Sequence, residues 1–273
     1  MRRTHLQLFS DTPKIYVILR GGLGNQLHQI AAGVAISESV GGEVRIFSHI
    51  VDTANNHNRR GYFRNLKLNE VFTSSRMQEV NYFENLFLRV MNRFNYKYLK
   101  KFVINEQSFH NFKHGLNAYL IRGWFQSHEY LPKVFDAGNF LEVRHLNSQT
   151  LSIHVRLTDF SSIDSDPLGS SYYKSAILRA ESLSDIDSFE CFSDDIPGAL
   201  RILGNSYSFF FPEEEAELRP DELLLRMAQN QFIICSRSSL SWWAAQIVSA
   251  NHGTVFSPWN GNVNNSGWIS VFH

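Results

Sequence analysis

"TLSIHVRLTDF", residues 150–160, ends a short apolar strand in three ionisable groups, His154, Arg156 and Asp159. The first half has the composition of a buried strand. Strands buried on both faces belong to parallel sheets flanked by helices. In open sheets of that kind, ligands bind beyond the carboxyl ends of the strands. Charge clustered there reads as an anion grip. The planar fork of Arg156 matches two phosphate oxygens at once, Asp159 is placed to steady the fork, and His154 is placed to donate to a base or a phosphate. The competing reading is a solvated Arg156–Asp159 pair.

The chain on either side alternates strand and helix. Upstream, "KIYVILR" (14–20) reads as a buried strand, "GGLGNQ" (21–26) breaks it, and Leu27, Ile30, Ala31, Val34 and Ala35 recur at helical spacing before the strand "EVRIFS" (43–48). Downstream, "SYYKSAILRAES", "PGALRIL", "PDELLLRMAQN" and "SWWAAQIVSA" read as helices between the strands "SFECFS", "SYSFFF" and "FIICS". This implies two doubly wound α/β domains, residues 1–147 and 148–273, facing across a cleft where a ligand would lie. Between them, "ENLFLRVMNRFNYKYLKKF" (84–102) reads as an amphipathic helix whose basic face is expected to meet solvent or wall a groove, with a membrane surface as the alternative.

Composition narrows the class. With 43% hydrophobic residues, the 273-residue chain can build full cores. Its 26 basic and 26 acidic residues cancel, which argues against a nucleic-acid partner held by a bulk basic surface. Cys191 and Cys235 each lie in an apolar run and are expected to be buried free thiols. There is no run of 18 apolar residues, and the N-terminal stretch lacks the apolar centre of a signal peptide. The expectation is a cytoplasmic protein, attached at most peripherally to the inner face of a membrane.

Three further stretches carry chemistry. In "GGLGNQ", Gly24 allows close backbone approach at a helix start, and Asn25 and Gln26 are polar where packing would accept anything. The third glycine of the dinucleotide fingerprint is absent, Leu27 standing in its place, and so is the lysine of a P-loop. "CFSDD" (191–195) ends a strand in Asp194 and Asp195. One of them is expected to cap the next helix, leaving the other to accept N–H donors from a base edge. "CSRSSLSWWAA" (235–245) gathers Ser238, Ser239 and Ser241 with backbone N–H groups at a helix start, which is the chemistry of a phosphate site. One of its two tryptophans is expected in the core and the other lining the cleft. "DSDP" (164–167) has the D-x-D form of a metal site, but Arg156 and the serine-rich helix start already supply positive potential, so no metal or other cofactor is expected.

In this order "GGLGNQ", "RGWFQSHEYL" (122–131), "HVRLTD", "FSDD" and "SSLSWWAA" resemble the family 11 glycosyltransferases, the α-1,2-fucosyltransferases of bacterial type. The resemblance spans about 15 to 260. It implies a GT-B fold, GDP-fucose as donor and inversion at the anomeric carbon without a metal. It also implies a glycan acceptor, of which a lipid-linked oligosaccharide is one form, destined for a surface polysaccharide and accepting at the 2-hydroxyl of a galactose. Carried over residue by residue, Arg156 matches the arginine that holds the β-phosphate, His154 the histidine beside the guanine and Asp195 the reader of the guanine edge. Ser238, Ser239 and Ser241 match the stretch on the diphosphate, and Asn25 the asparagine facing fucose or phosphate. Leu157 departs from the pattern, which often has a second arginine there. The general base is expected among Asp159, Asp164 and Asp166. Two rivals remain: a non-catalytic binding protein on a decayed transferase fold, and a transferase for another nucleotide sugar.

Overall fold

The computed structural model describes residues 12–53, 60–93, 101–141, 146–157, 168–212, 218–258 and 268–271. Asp159 and the D-x-D of 164–166 lie outside the described residues. Two compact units emerge. One holds residues 1–21, 25–61 and 72–135; the other holds 22–24, 62–71 and 136–273.

The first unit is built on a parallel sheet. Strand β1 (Lys14–Ile18) leads through Gly21, whose φ of +74° suits glycine, into helix α1 (Leu23–Val40). Helix α1 presses on the sheet closely enough that a Cβ on Gly33 would run into Val17. Strand β2 (Glu43–Phe47) and the single turn α2 (His49–Asp52) follow; α3 (Leu68–Val71) clusters with the second unit. Strand β3 (Met77–Glu79), helix α4 (Tyr82–Arg93) and strands β4 (Val103–Ile104) and β5 (Ala118–Ile121) complete the first unit. The order is β3-β2-β1-β5-β4. The chain therefore winds outward from β1, then returns to its other side, and the reversal falls between β1 and β5.

The second unit repeats the plan on six parallel strands. Strand β6 (Asn147–Val155) is followed by α5 (Ser170–Glu181), β7 (Ser188–Ser193), α6 (Ile196–Leu203) and β8 (Phe209–Phe210). Helix α7 (Pro220–Met227), β9 (Asn230–Ile234), α8 (Ser239–Ala250), β10 (Thr254–Ser257) and β11 (Trp268–Ser270) complete it. The order β11-β10-β9-β6-β7-β8 is that of a dinucleotide-binding sheet, with the reversal between β6 and β9. Ile153 sits at the centre, paired with Cys191 on one side and Ile234 on the other, and all three are buried.

The helices and strands read from the C-terminal half are all present. The short strands β3, β4, β5, β10 and β11 were not read. Runs of two to four residues cannot show a period of two, and their parallel partners, not their own sequence, make them strands. The amphipathic helix of the middle segment corresponds to α4, but the expected exposure is altered. Among its described residues the outward side carries Arg89, as expected, but is otherwise largely apolar, and Leu88 is the buried one.

Candidate functional site

The motif blocks fall at the carboxyl edges of both sheets, at the two strand-order reversals. "GGLGNQ" follows β1 of the first unit, and "RGWFQ" follows β5, the neighbouring strand. Two buried glutamines frame the turn. Gln26 Nε2 donates to the carbonyls of Gly21 at 2.9 Å and Arg60 at 3.0 Å. Gln29 accepts from Arg20 N at 2.9 Å and donates to Gly123 O at 3.1 Å, so one side chain joins the ends of β1 and β5. Gln26 was expected at the donor; its buried amide is engaged with backbone carbonyls instead. Asn25, only half-buried, accepts a hydrogen bond from Gln126 Nε2.

Gln126 is held in place by an unusual loop. Phe125 has φ +53° with its ring fully buried, a conformation that costs roughly 1–3 kcal/mol for a residue of this size. Glu106 offsets part of this by accepting the N–H groups of Trp124 (2.5 Å) and Phe125 (3.1 Å). No signal in the sequence pointed to Glu106.

In the second unit the ends of β6, β7 and β9 lie side by side. Arg156 directly follows β6, and its Nε meets Asp194 Oδ2 at 3.1 Å. The other oxygen of Asp194 accepts the Leu157 N–H at 2.9 Å. Asp194 therefore holds the guanidinium; Asp159, suggested by the sequence for that role, lies outside the described residues. Asp195 is the helix cap: its Oδ1 accepts from Gly198 N at 2.9 Å, ahead of Pro197 in the first turn of α6. The residue matched to the guanine reader is thus also the cap, and its Oδ2 lies 3.9 Å from Arg201. Leu157 packs against the hydrophobic core, which is where strand alternation sends it.

His154 is 1% exposed and shares a 2.8 Å bond between Nδ1 and Ser236 Oγ, which ties β6 to the end of β9 across the reversal. Ser241 is fully buried, its Oγ accepting from Ser236 N at 3.2 Å, so its hydroxyl is used inside the protein. Both were expected at the ligand, and in this structure both brace the β9 edge. Ser238 caps α8 by accepting from Leu240 N at 3.3 Å, and Ser239 is partly exposed beside it. Trp243 is fully buried and Trp242 nearly so, edge to face at 5.2 Å; the tryptophan expected in the cleft is therefore part of the core. Gly24, which clusters with this unit, lies so close to α8 that an added Cβ would meet Leu240 N and come within 2.6 Å of Ser239 Oγ.

Two tyrosines that the sequence left unremarked finish this edge. Tyr172 Oη donates to Cys235 O at 2.7 Å, and Tyr173 Oη to His154 O at 3.1 Å, so α5 satisfies carbonyls at the ends of β9 and β6. Both cysteines are buried free thiols, and burial pushes Cys235 up to about 12, which removes it as a nucleophile. A depression of about 730 Å³ opens at the opposite, amino edge of this sheet, beside Arg226 and Glu190. Those two charges satisfy each other at 3.0 Å, so it offers no grip on a ligand comparable to Arg156. Among the described residues no cluster of three metal-ligating side chains occurs.

The edge of the second unit therefore gathers the Arg156 guanidinium, the exposed Arg237, partly exposed serine hydroxyl and N–H groups at a helix start, and the Asp195 carboxylate at the end of β7. That set suits a nucleoside diphosphate. No family model matches the chain. It is 25% identical over 283 residues to the O-antigen biosynthesis glycosyltransferase WbnK of Escherichia coli, covering 89% of this chain and 93% of that one. The fucosyltransferase NodZ of Bradyrhizobium superposes with a TM-score of 0.53 at 14% identity, over 86% of this chain and 92% of NodZ. POFUT1 in complex with GDP gives 0.51 at 10% identity, over 89% and 97%. The two parallel α/β units thus have the fold of the GT-B glycosyltransferases.

Proposed function

We propose that the protein is an inverting fucosyltransferase of the family 11 type, moving L-fucose from GDP-β-L-fucose to a glycan hydroxyl, the 2-hydroxyl of a galactose. The acceptor is assigned to surface-polysaccharide synthesis because WbnK, the relative matched over most of both chains, is an O-antigen glycosyltransferase. The donor is assigned because NodZ structures of the same fold were obtained with GDP and GDP-fucose. The observation that carries the reading is that Arg156 and the start of α8 follow β6 and β9, the two strands at the reversal, while Asp195 follows β7, the next strand.

In this reading Arg156 and the N–H groups of α8 take up the negative charge that grows on the β-phosphate as GDP leaves. Ser238 and Ser239 bind the diphosphate, Asp195 accepts from the guanine edge through Oδ2, and Asn25 with Gly24 approaches the fucose or phosphate. His154, Gln26 and Ser241 act through the backbone they hold. Asp159 is the proposed base for the acceptor hydroxyl. Positive charge on the diphosphate comes from the protein, so turnover is proposed to need no metal. The test is fucose transfer from GDP-fucose to β-galactosides differing in the next sugar, with and without EDTA. Transfer from UDP-sugars but not from GDP-fucose would overturn the donor. Activity lost to EDTA and restored by Mn²⁺ would overturn the metal-free reading.

A further inference from the structure

Helix α4 is amphipathic in the wrong sense for a helix resting on a protein. Its inner side is fixed: Leu88 is buried in the core beside Ile18, Phe47 and Leu120. Glu84 accepts from Lys14 Nζ at 2.9 Å and Tyr16 Oη at 3.0 Å. Asn81 and Glu84 also bond each other's backbone N–H, which pins the first turn. The helix therefore cannot rotate to hide its other side. That side presents Tyr82 (77% exposed), Phe83 (79%), Leu86 (49%), Phe87 (59%) and Val90 (45%), spaced to form one continuous face. Scattered exposed apolar residues need no explanation, but a contiguous face of five, with three aromatic rings, marks an interaction surface.

Charge decides what meets it. Residues 85–105 carry Arg89, Arg93, Lys97, Lys100 and Lys101 and no acidic residue, in a chain whose net charge is zero. Arg89 flanks the apolar face and is exposed, as is Lys101. A second copy of the chain docking through this face would bring the exposed Arg89 towards its own counterpart, since a two-fold interface pairs like with like. An anionic bilayer accepts both features, rings and aliphatic chains at the acyl boundary and cations at the headgroups. We propose that α4 is the docking face of this protein on an anionic lipid surface, with Tyr82, Phe83, Leu86, Phe87 and Val90 inserted and Arg89 and Lys101 on headgroups. No helix among the described residues is long and apolar enough to cross a membrane, so the contact is interfacial.

The inference stands apart from the donor reading; failure to bind GDP would leave it untouched. The test is flotation of the full chain with vesicles of phosphatidylcholine alone or mixed with phosphatidylglycerol. Wild type should float with the anionic vesicles and not with the neutral ones, and high salt should release it. Phe83→Ser with Phe87→Ser should lower the bound fraction roughly tenfold or more, and Arg89→Glu with Lys101→Glu severalfold. Both pairs are exposed and should leave the melting temperature unchanged. Three results would overturn the proposal: wild type that stays unbound, a serine double variant that floats like wild type, or a dimer in sedimentation velocity that the serine variant dissolves. The last would assign the face to a second copy.

Discussion

Asp194 bridges the chain around Arg156 from a neighbouring strand, with one oxygen on the Arg156 Nε at 3.1 Å and the other on the Leu157 N–H at 2.9 Å. Both side chains of the pair are largely buried, at 20% and 11% exposure. A carboxylate using both oxygens in this way fixes where the guanidinium stands, and preorganised charge is what a leaving diphosphate requires. Asp194 is in this view a positioning residue, and Arg156 the group that meets the ligand.

The two substitutions should separate these roles. Arg156→Ala is expected to lower kcat/KM by about 10²–10³, the loss typical of one preorganised charge-stabilising donor. Arg156→Lys should recover little, because an ammonium lacks the bidentate fork. Asp194→Asn keeps the shape and one acceptor, so it should cost less, with kcat falling more than KM rises. If Arg156→Ala folds and turns over normally, the pair is merely structural. In that event its loss should show as destabilisation, by up to about 3–5 kcal/mol for a buried pair broken on one side.

Asp195 has two jobs in the proposed site, and one substitution tells them apart. Asparagine caps a helix about as well as aspartate, so Asp195→Asn should keep the Gly198 bond and change stability by no more than about 0.5 kcal/mol. Asparagine lacks the negative charge that would pair with a guanine edge. GDP should therefore raise the melting temperature of wild type well above the effect of UDP, and Asp195→Asn should erase that preference. A variant that still prefers GDP would leave Asp195 as a cap only.

The legible part of this molecule was the part with period and punctuation. Leu27, Ile30, Ala31 and Val34 announced α1, and the alternation from Thr150 to Ala250 announced the second sheet. Arg156, Asp195 and Ser238 could be placed at its carboxyl edge because a parallel sheet puts all such ends on one side. Burial was not legible. Whether the side chains of His154, Gln26 and Ser241 face a ligand or brace the backbone depends on which neighbour reaches them first. Ser236 N does so for Ser241, and the Gly21 carbonyl does so for Gln26. Contacts formed across long stretches of chain, such as Asp194 on Arg156 or Glu106 on Phe125, leave no mark in the local sequence at all.

Gly24 should be intolerant where Gly169 is not. A Cβ there would meet Leu240 N and crowd Ser239 Oγ, both at the start of α8. Gly24→Ala is expected to cost about 1–3 kcal/mol by overpacking and to weaken GDP binding in the same variant, because the displaced atoms are those assigned to the diphosphate. Gly169, the N-cap of α5, has open space around its Cβ position and φ −79°. Gly169→Ser should be neutral or stabilising and leave GDP binding intact. Thermal melts with and without GDP check both. A Gly24→Ala protein of normal stability and normal GDP response would refute the close packing.

His28 supplies a pH dependence with a definite sign. It lies fully enclosed in α1, and burial pushes its imidazole down to about 3. An unfolded histidine protonates near 6.5. Between these values the unfolded chain holds a proton that the folded chain does not, so stability falls as the pH drops through that window and is fully present above it. At pH 5 the His28 share of the loss should reach about 2 kcal/mol relative to pH 8. His28→Gln removes the titration while keeping a polar side chain of similar length. The variant is expected to be less stable than wild type at pH 8, and the gap should narrow by about that amount by pH 5, read from urea midpoints at constant m. Parallel curves for the two proteins across pH 8 to 5 would mean that His28 takes up its proton in the folded state.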